Sequence, residues 1–97
     1  LRVRVKVFAD LRERLGWRER EVELSSGLVE ELLQEVLRGI GGLEALSDRR
    51  GGLRQGYKVM VNGRDIDFLQ GLKTPLKEGD LVVLFPPIAG GLRGSPG

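Results

Sequence analysis

The chain contains neither cysteine nor histidine. Thiol nucleophiles, imidazole bases, Cys/His zinc sites and disulfide cross-links are therefore excluded, as is carriage of sulfur on a cysteine. Carboxylates, lysines, hydroxyls and the main chain itself remain. The most specific arrangement lies near the C-terminus, where Leu81-Val82-Val83-Leu84-Phe85 runs into Pro86-Pro87-Ile88-Ala89-Gly90-Gly91. Two prolines remove the N–H groups that strand pairing needs and stiffen the exit from the strand. Two glycines without Cβ thread a narrow channel and take backbone angles closed to other residues. A carboxyl group at Gly91, with a pKa of about 3.3–3.7, is ionised at neutral pH and a poor acyl donor until a better leaving group is attached. The arrangement suits a main-chain carboxylate delivered into another protein's active site.

Six residues, Leu92-Arg93-Gly94-Ser95-Pro96-Gly97, follow the diglycine, so Gly91 is amide-bonded in this sequence. The extension is a precursor segment removed by a processing protease, or marks a relative that has lost the acyl role, or is foreign to the protein. The first reading is preferred. Gly97 is a poor substitute terminus, because Pro96 removes a backbone donor and fixes the approach.

The elements that must position this tail are legible in the 97 residues, a length suited to one domain. Val3, Val5 and Val7 alternate with Arg2, Arg4 and Lys6, which predicts a half-buried strand. Phe8 to Gly16 reads as a turn or short helical connection, and 19–24 as a second strand forming a wide hairpin with the first. Val29, Leu32, Leu33, Val36, Leu37 and Ile40 make one apolar stripe, predicting a helix from the Ser25-Ser26-Gly27 cap to about Arg38. The glycine-rich stretch 39–56 reads as loop with one helical turn near Leu43 to Leu46. Tyr57 to Asn62 is a third strand, Asn62-Gly63 a tight turn, Arg64 to Leu69 a weaker strand, and 81–85 a last strand with both faces covered. The expected fold class is α+β, a ubiquitin-like β-grasp with a mixed sheet and one main amphipathic helix across it. The expected organisation is a body at 1–88 and a flexible tail at 89–97.

Hydrophobic residues at 40% and charged residues at 31% describe an ordinary globular chain, and a formal net charge of +2 is too small and dispersed for a nucleic-acid stripe. Arg2, Arg4 and Lys6 read as a solvated outer face, and the aromatics Trp17, Tyr57 and Phe68 are scattered. Glu30-Glu31-Glu35 and Asp65-Asp67 read as helix-capping and turn residues rather than a metal or acid/base cluster. No apolar run approaches a membrane span and the N-terminus lacks a signal peptide's apolar block, so the expected location is cytoplasmic. With no initiator Met, Leu1 is not expected to be the native start.

Asn62-Gly63-Arg64-Asp65-Ile66, Thr74-Pro75-Leu76-Lys77-Glu78-Gly79-Asp80 and Phe85-Pro86-Pro87-Ile88-Ala89-Gly90-Gly91, together with Phe8-Ala9-Asp10-Leu11-Arg12-Glu13, carry a family likeness. Over residues 2–91 the chain resembles the small subunit of molybdopterin synthase, the MoaD family of β-grasp sulfur carriers. The resemblance implies a non-catalytic subunit whose Gly91 carboxylate, beside Gly90, is adenylated with ATP by an E1-like enzyme and converted to a thiocarboxylate. It implies delivery of that sulfur, within the large subunit, to a pterin precursor of the molybdenum or tungsten cofactor, with no cofactor bound to the chain itself. It also implies a partner surface at Phe8, Phe85, Pro86, Pro87, Ile88 and Ala89, with Ile66 and Leu72 as weaker members. For Phe85, core packing competes with that role. Arg12, Lys73 and Lys77 could meet acidic groups on a partner, though ordinary solvated charges are the simpler reading. Carriers for thiamin thiazole or tRNA thiolation, and protein modifiers, are alternatives within the fold. An RNA-binding β-grasp module is the alternative outside it.

Overall fold

Alternation in the first strand and the stripe on the helix pair off as expected. The computed structural model of the protein describes residues 1–87. β1 (Arg2–Val7) and β2 (Glu19–Glu23) are antiparallel, joined through α1 (Ala9–Leu15). α2 (Val29–Val36) is followed by 3-10 turns at Arg38–Ile40 and Leu43–Leu46. β3 (Lys58–Val61), β4 (Arg64–Asp65) and β5 (Leu81–Phe85) complete a five-stranded sheet of order β2-β1-β5-β3-β4. β5 lies at the centre, parallel to β1 and antiparallel to β3. The architecture is the expected α+β, ubiquitin-like β-grasp.

The core forms between one face of the sheet and the helices. Val3, Val5, Val7, Val59, Val82 and Leu84 point to that face, where they meet Leu11 of α1 and Val29, Leu32, Leu33 and Val36 of α2. Each such side chain contributes about 1.5–3 kcal/mol by leaving water. That is why a helix of only eight residues, marginal alone, is stable here.

Four expectations need correction. The serines do not cap α2 by accepting its N–H groups; Glu31 reaches back instead. Its carboxylate accepts from the N–H of Ser25 and of Ser26 and from the Ser26 hydroxyl, each at 2.7 Å, and from the Gly27 N–H at 3.0 Å. The segment after the Asn62-Gly63 turn is a strand for only two residues, because Asp65 accepts the Asp67 N–H at 2.9 Å and winds Ile66–Phe68 into a 3-10 turn. Ile66 is thereby buried in the core and is not a surface residue. Finally, β5 is covered on one face only: Val82 and Leu84 are buried, whereas Leu81, Val83 and Phe85 stay half-exposed on the other. The domain boundary drawn between 88 and 89 lies outside the described residues.

Candidate functional site: the sheet end where the chain leaves β5

Because β1 and β5 run parallel, their C-terminal ends meet at one end of the sheet. Val7 pairs with Leu84, and the Phe8 N–H donates to the Leu84 carbonyl at 3.2 Å. The next residues of both strands face away from the helix, and their rings stack: Phe8 and Phe85 have centroids 4.9 Å apart and planes 13° apart. Such a pair is worth about 0.5–1.5 kcal/mol beyond area burial. Phe8 is nevertheless 37% exposed and Phe85 half-buried, so the stack is a surface feature as well as a packing contact.

The turn that places Phe8 there is strained. Ala9 has φ +54°, a region that costs a residue with a Cβ about 1–2 kcal/mol. The helix it opens buries Leu11 completely, which holds Ala9 in place.

Around the stacked rings the surface is basic. A shallow depression beside Phe8 is lined by Lys6, Arg12, Arg18 and Glu19, among others. Glu19 pairs with Arg4 at 3.2 Å, and among the described residues no carboxylate lies within ion-pair distance of Lys6, Arg12 or Arg18. Of the other sheet cations, Arg2 and Arg4 face Glu21 at 4.0 and 3.6 Å, and Lys58 bonds Asp65 at 3.0 Å. Arg20 lies over the Trp17 ring at 5.2 Å, and among the described residues no carboxylate lies within ion-pair distance of Arg64. The Lys58 pairing holds the ammonium above its usual pKa. Asp65 sits below the usual carboxylate range, first through the Asp67 N–H and then through Lys58. Lys73 is engaged by Glu30 at 2.8 Å, while Lys77 is exposed at the far end of the sheet, remote from the rings.

From Phe85 the apolar surface continues down β5 through Val83 and Leu81, with Met60 of β3 opposite Val83. Leu72 packs against the core from the helix side and is only partly exposed. Pro86 is buried and Pro87 exposed, so the two prolines divide between anchoring the exit and facing solvent. Ile88, Ala89, Gly90 and Gly91 lie outside the described residues. One participant carried no signal in the sequence beyond being a glycine: Gly56, at φ +96°, lies directly against Pro87.

The ThiS family model matches residues 5–91, from within β1 to the second glycine of the tail. The chain belongs to the ThiS family. Small archaeal modifier protein 3 of Haloferax volcanii is 30% identical over 96 residues, 94% of this chain and all of that protein. The structure of a candidate molybdopterin converting factor subunit 1 from Pyrococcus furiosus superposes with a TM-score of 0.68 at 30% identity, covering 91% of this chain and 99% of that one. CysO in the BexX/CysO complex of Amycolatopsis orientalis matches with a TM-score of 0.72 at 30% identity, over 92% and 99% of the chains. This ThiS-family chain is thus a ubiquitin-like protein of the carrier and modifier class, and one such relative is seen in complex with a partner.

Among the described residues no helix is long and apolar enough to cross a membrane.

Proposed function

We propose that this protein is a sulfur carrier for pterin-cofactor synthesis, acting through the carboxyl group of Gly91 once residues 92–97 have been removed. The supporting observation is the exposed Phe8–Phe85 stack, set in a basic rim at the root of a Pro-Pro exit that leads within a few residues to the diglycine. A partner grips that surface and receives the tail. In the activating enzyme the Gly91 carboxylate attacks the α-phosphorus of ATP and releases pyrophosphate. A sulfur donor then displaces AMP to leave a thiocarboxylate. In a synthase large subunit that terminal sulfur is handed to the pterin precursor. The chain supplies no acid or base to these steps. Its contribution is an end group free of side chains, held to a rigid body, so that docking becomes positioning. The family match ending at Gly91 supports placing the functional terminus there.

A second reading has its own support in the full-length likeness to a small archaeal modifier protein. There the same activated carboxyl is attacked by a lysine amine and ends as an isopeptide. An RNA-binding role is disfavoured, because Trp17 and Tyr57 pack against the core and Phe68 stands apart beyond β4.

Intact mass spectrometry of protein from its native cells, grown sulfur-replete, tests the proposal. A chain ending at Gly91 with one terminal oxygen replaced by sulfur is the expected species. Isopeptide-linked remnants ending in Gly90-Gly91 on other proteins would favour the modifier reading. Only the unmodified 97-residue chain would count against both.

A further inference from the structure

We propose that Gly56 is a positioning residue: its bare Cα is the seat on which Pro87 rests, and the seat sets the direction in which the chain leaves β5. A Cβ at Gly56 would stand 2.7 Å from the Pro87 Cβ, 2.8 Å from its Cγ and 3.3 Å from its Cα. No side chain tolerates the first two distances, and a proline ring cannot rotate away, because it is closed onto its own backbone. Gly51 and Gly63, both at φ +86°, have nothing within 4 Å of where a Cβ would be. At those two positions the dihedral angle alone calls for glycine. At Gly56 the dihedral angle and the contact both do.

The seat is held on both sides. Before it, the Arg54 N–H donates to the carbonyl of buried Leu46 at 2.7 Å, and the Tyr57 N–H closes a turn on the Arg54 carbonyl at 3.2 Å. After it, Lys58 enters β3 opposite Phe85. The outgoing chain is therefore fixed at two successive points, at Phe85 by the strand ladder and at Pro87 by Gly56. Two points define a direction, whereas the ladder alone leaves the chain free to swing about Phe85. The catalytic consequence rests on the carrier reading above; the geometric claim does not.

The test uses the chain ending at Gly91, with the cognate activating enzyme and ATP. Because the chain has no cysteine, a nitroxide on a single cysteine replacing Ala89 reports tail direction through relaxation of the body's amide signals. Gly56→Ala is compared with Gly51→Ala, which imposes similar backbone strain without a clash. Gly56→Ala should redraw the relaxation pattern and lower kcat for ATP–pyrophosphate exchange by roughly tenfold or more with KM little changed, since the docking surface is intact. Gly51→Ala should do neither. In a Pro87→Gly background, where the clashing ring is gone, Gly56→Ala should add no further loss of kcat. An unchanged relaxation pattern in Gly56→Ala overturns the inference. So does a redrawn pattern with unchanged kcat, which would mean that direction is irrelevant to activation. Absence of exchange even with the parent chain sinks the carrier reading instead, while the relaxation data still decide the seat.

Discussion

The two ends of the sheet are built on opposite principles. At the end remote from the tail, polar side chains tie the turns together. Asn62 donates from Nδ2 to Asp80 at 2.8 Å and accepts the Leu81 N–H at 2.9 Å, while the other Asp80 oxygen accepts the Lys77 N–H at 2.8 Å. Glu78 accepts the Arg2 N–H at 2.9 Å, and the Gly79 N–H donates to the Arg2 carbonyl at 2.8 Å. At the tail end the surface carries stacked rings, a strained Ala9 and, in Lys6, Arg12 and Arg18, cations with no ion-pair partner among the described residues. Hydrogen bonds made internally are satisfied and ask nothing of another molecule. Exposed rings and unanswered charges gain most when a partner covers them. One end therefore stabilises the fold and, under the proposed function, the other is the docking surface, so substitutions at the two should separate stability from binding.

The largest effect should come at the tail end. Phe85→Ala removes the centre of the patch, and affinity for a partner enzyme, read by titration calorimetry, should fall roughly thirtyfold or more. The melting temperature should drop only modestly, because the lost stack is worth about 1 kcal/mol. A large drop in stability with affinity preserved would reassign Phe85 to the core.

At the opposite end the balance should invert. Asn62→Ala breaks two hydrogen bonds and leaves an alanine at φ +51°. It should cost about 1–2 kcal/mol, a fall of roughly 4–8 °C per kcal/mol in a domain this size, with partner affinity unchanged. A fall in affinity matching the fall in stability would show that the two ends are not independent.

The smallest effect concerns α2. Its N-terminal hydrogen bonds hold the Glu31 pKa at about 2, against the ordinary 4.5, the Ser25 N–H contributing most. A depressed carboxylate stabilises the fold fully above pH 4.5 and loses that contribution as the pH falls through about 2. Thermal melts between pH 7 and pH 2 should therefore show a shallower acid-side decline for Glu31→Gln than for the parent. Parallel curves would assign the acid sensitivity to other carboxylates.

Much of this was legible in the chain because it depends on neighbours in sequence. Alternation at Val3, Val5 and Val7 announced a one-faced strand, and Asn62-Gly63 announced a turn whose residues both take positive φ. The diglycine was visible for the same reason, and so was the β-grasp order. Other features depend on approach between distant segments. The capping role of Glu31 was legible, but its four partners at Ser25, Ser26 and Gly27 were not, because which N–H groups a first-turn carboxylate reaches back to depends on the path of the preceding loop. The open face of β5 was hidden because a continuous apolar run signals two covered faces, whereas here the outer face is left half-exposed.

Residue types alone therefore established the kind of chemistry open to this protein. Without thiol or imidazole, that chemistry is confined to carboxylates, lysines, hydroxyls and the main chain, and the proposed function uses the last of these at the diglycine behind two prolines. They also established the strands and the helix, since periodicity records which side of an element meets water. Only the tertiary structure brought Phe8 onto Phe85 and Gly56 under Pro87. Those contacts follow from the parallel pairing of the first strand with the last and from the entry of β3 beside them, and no local pattern encodes a meeting between opposite ends of a chain.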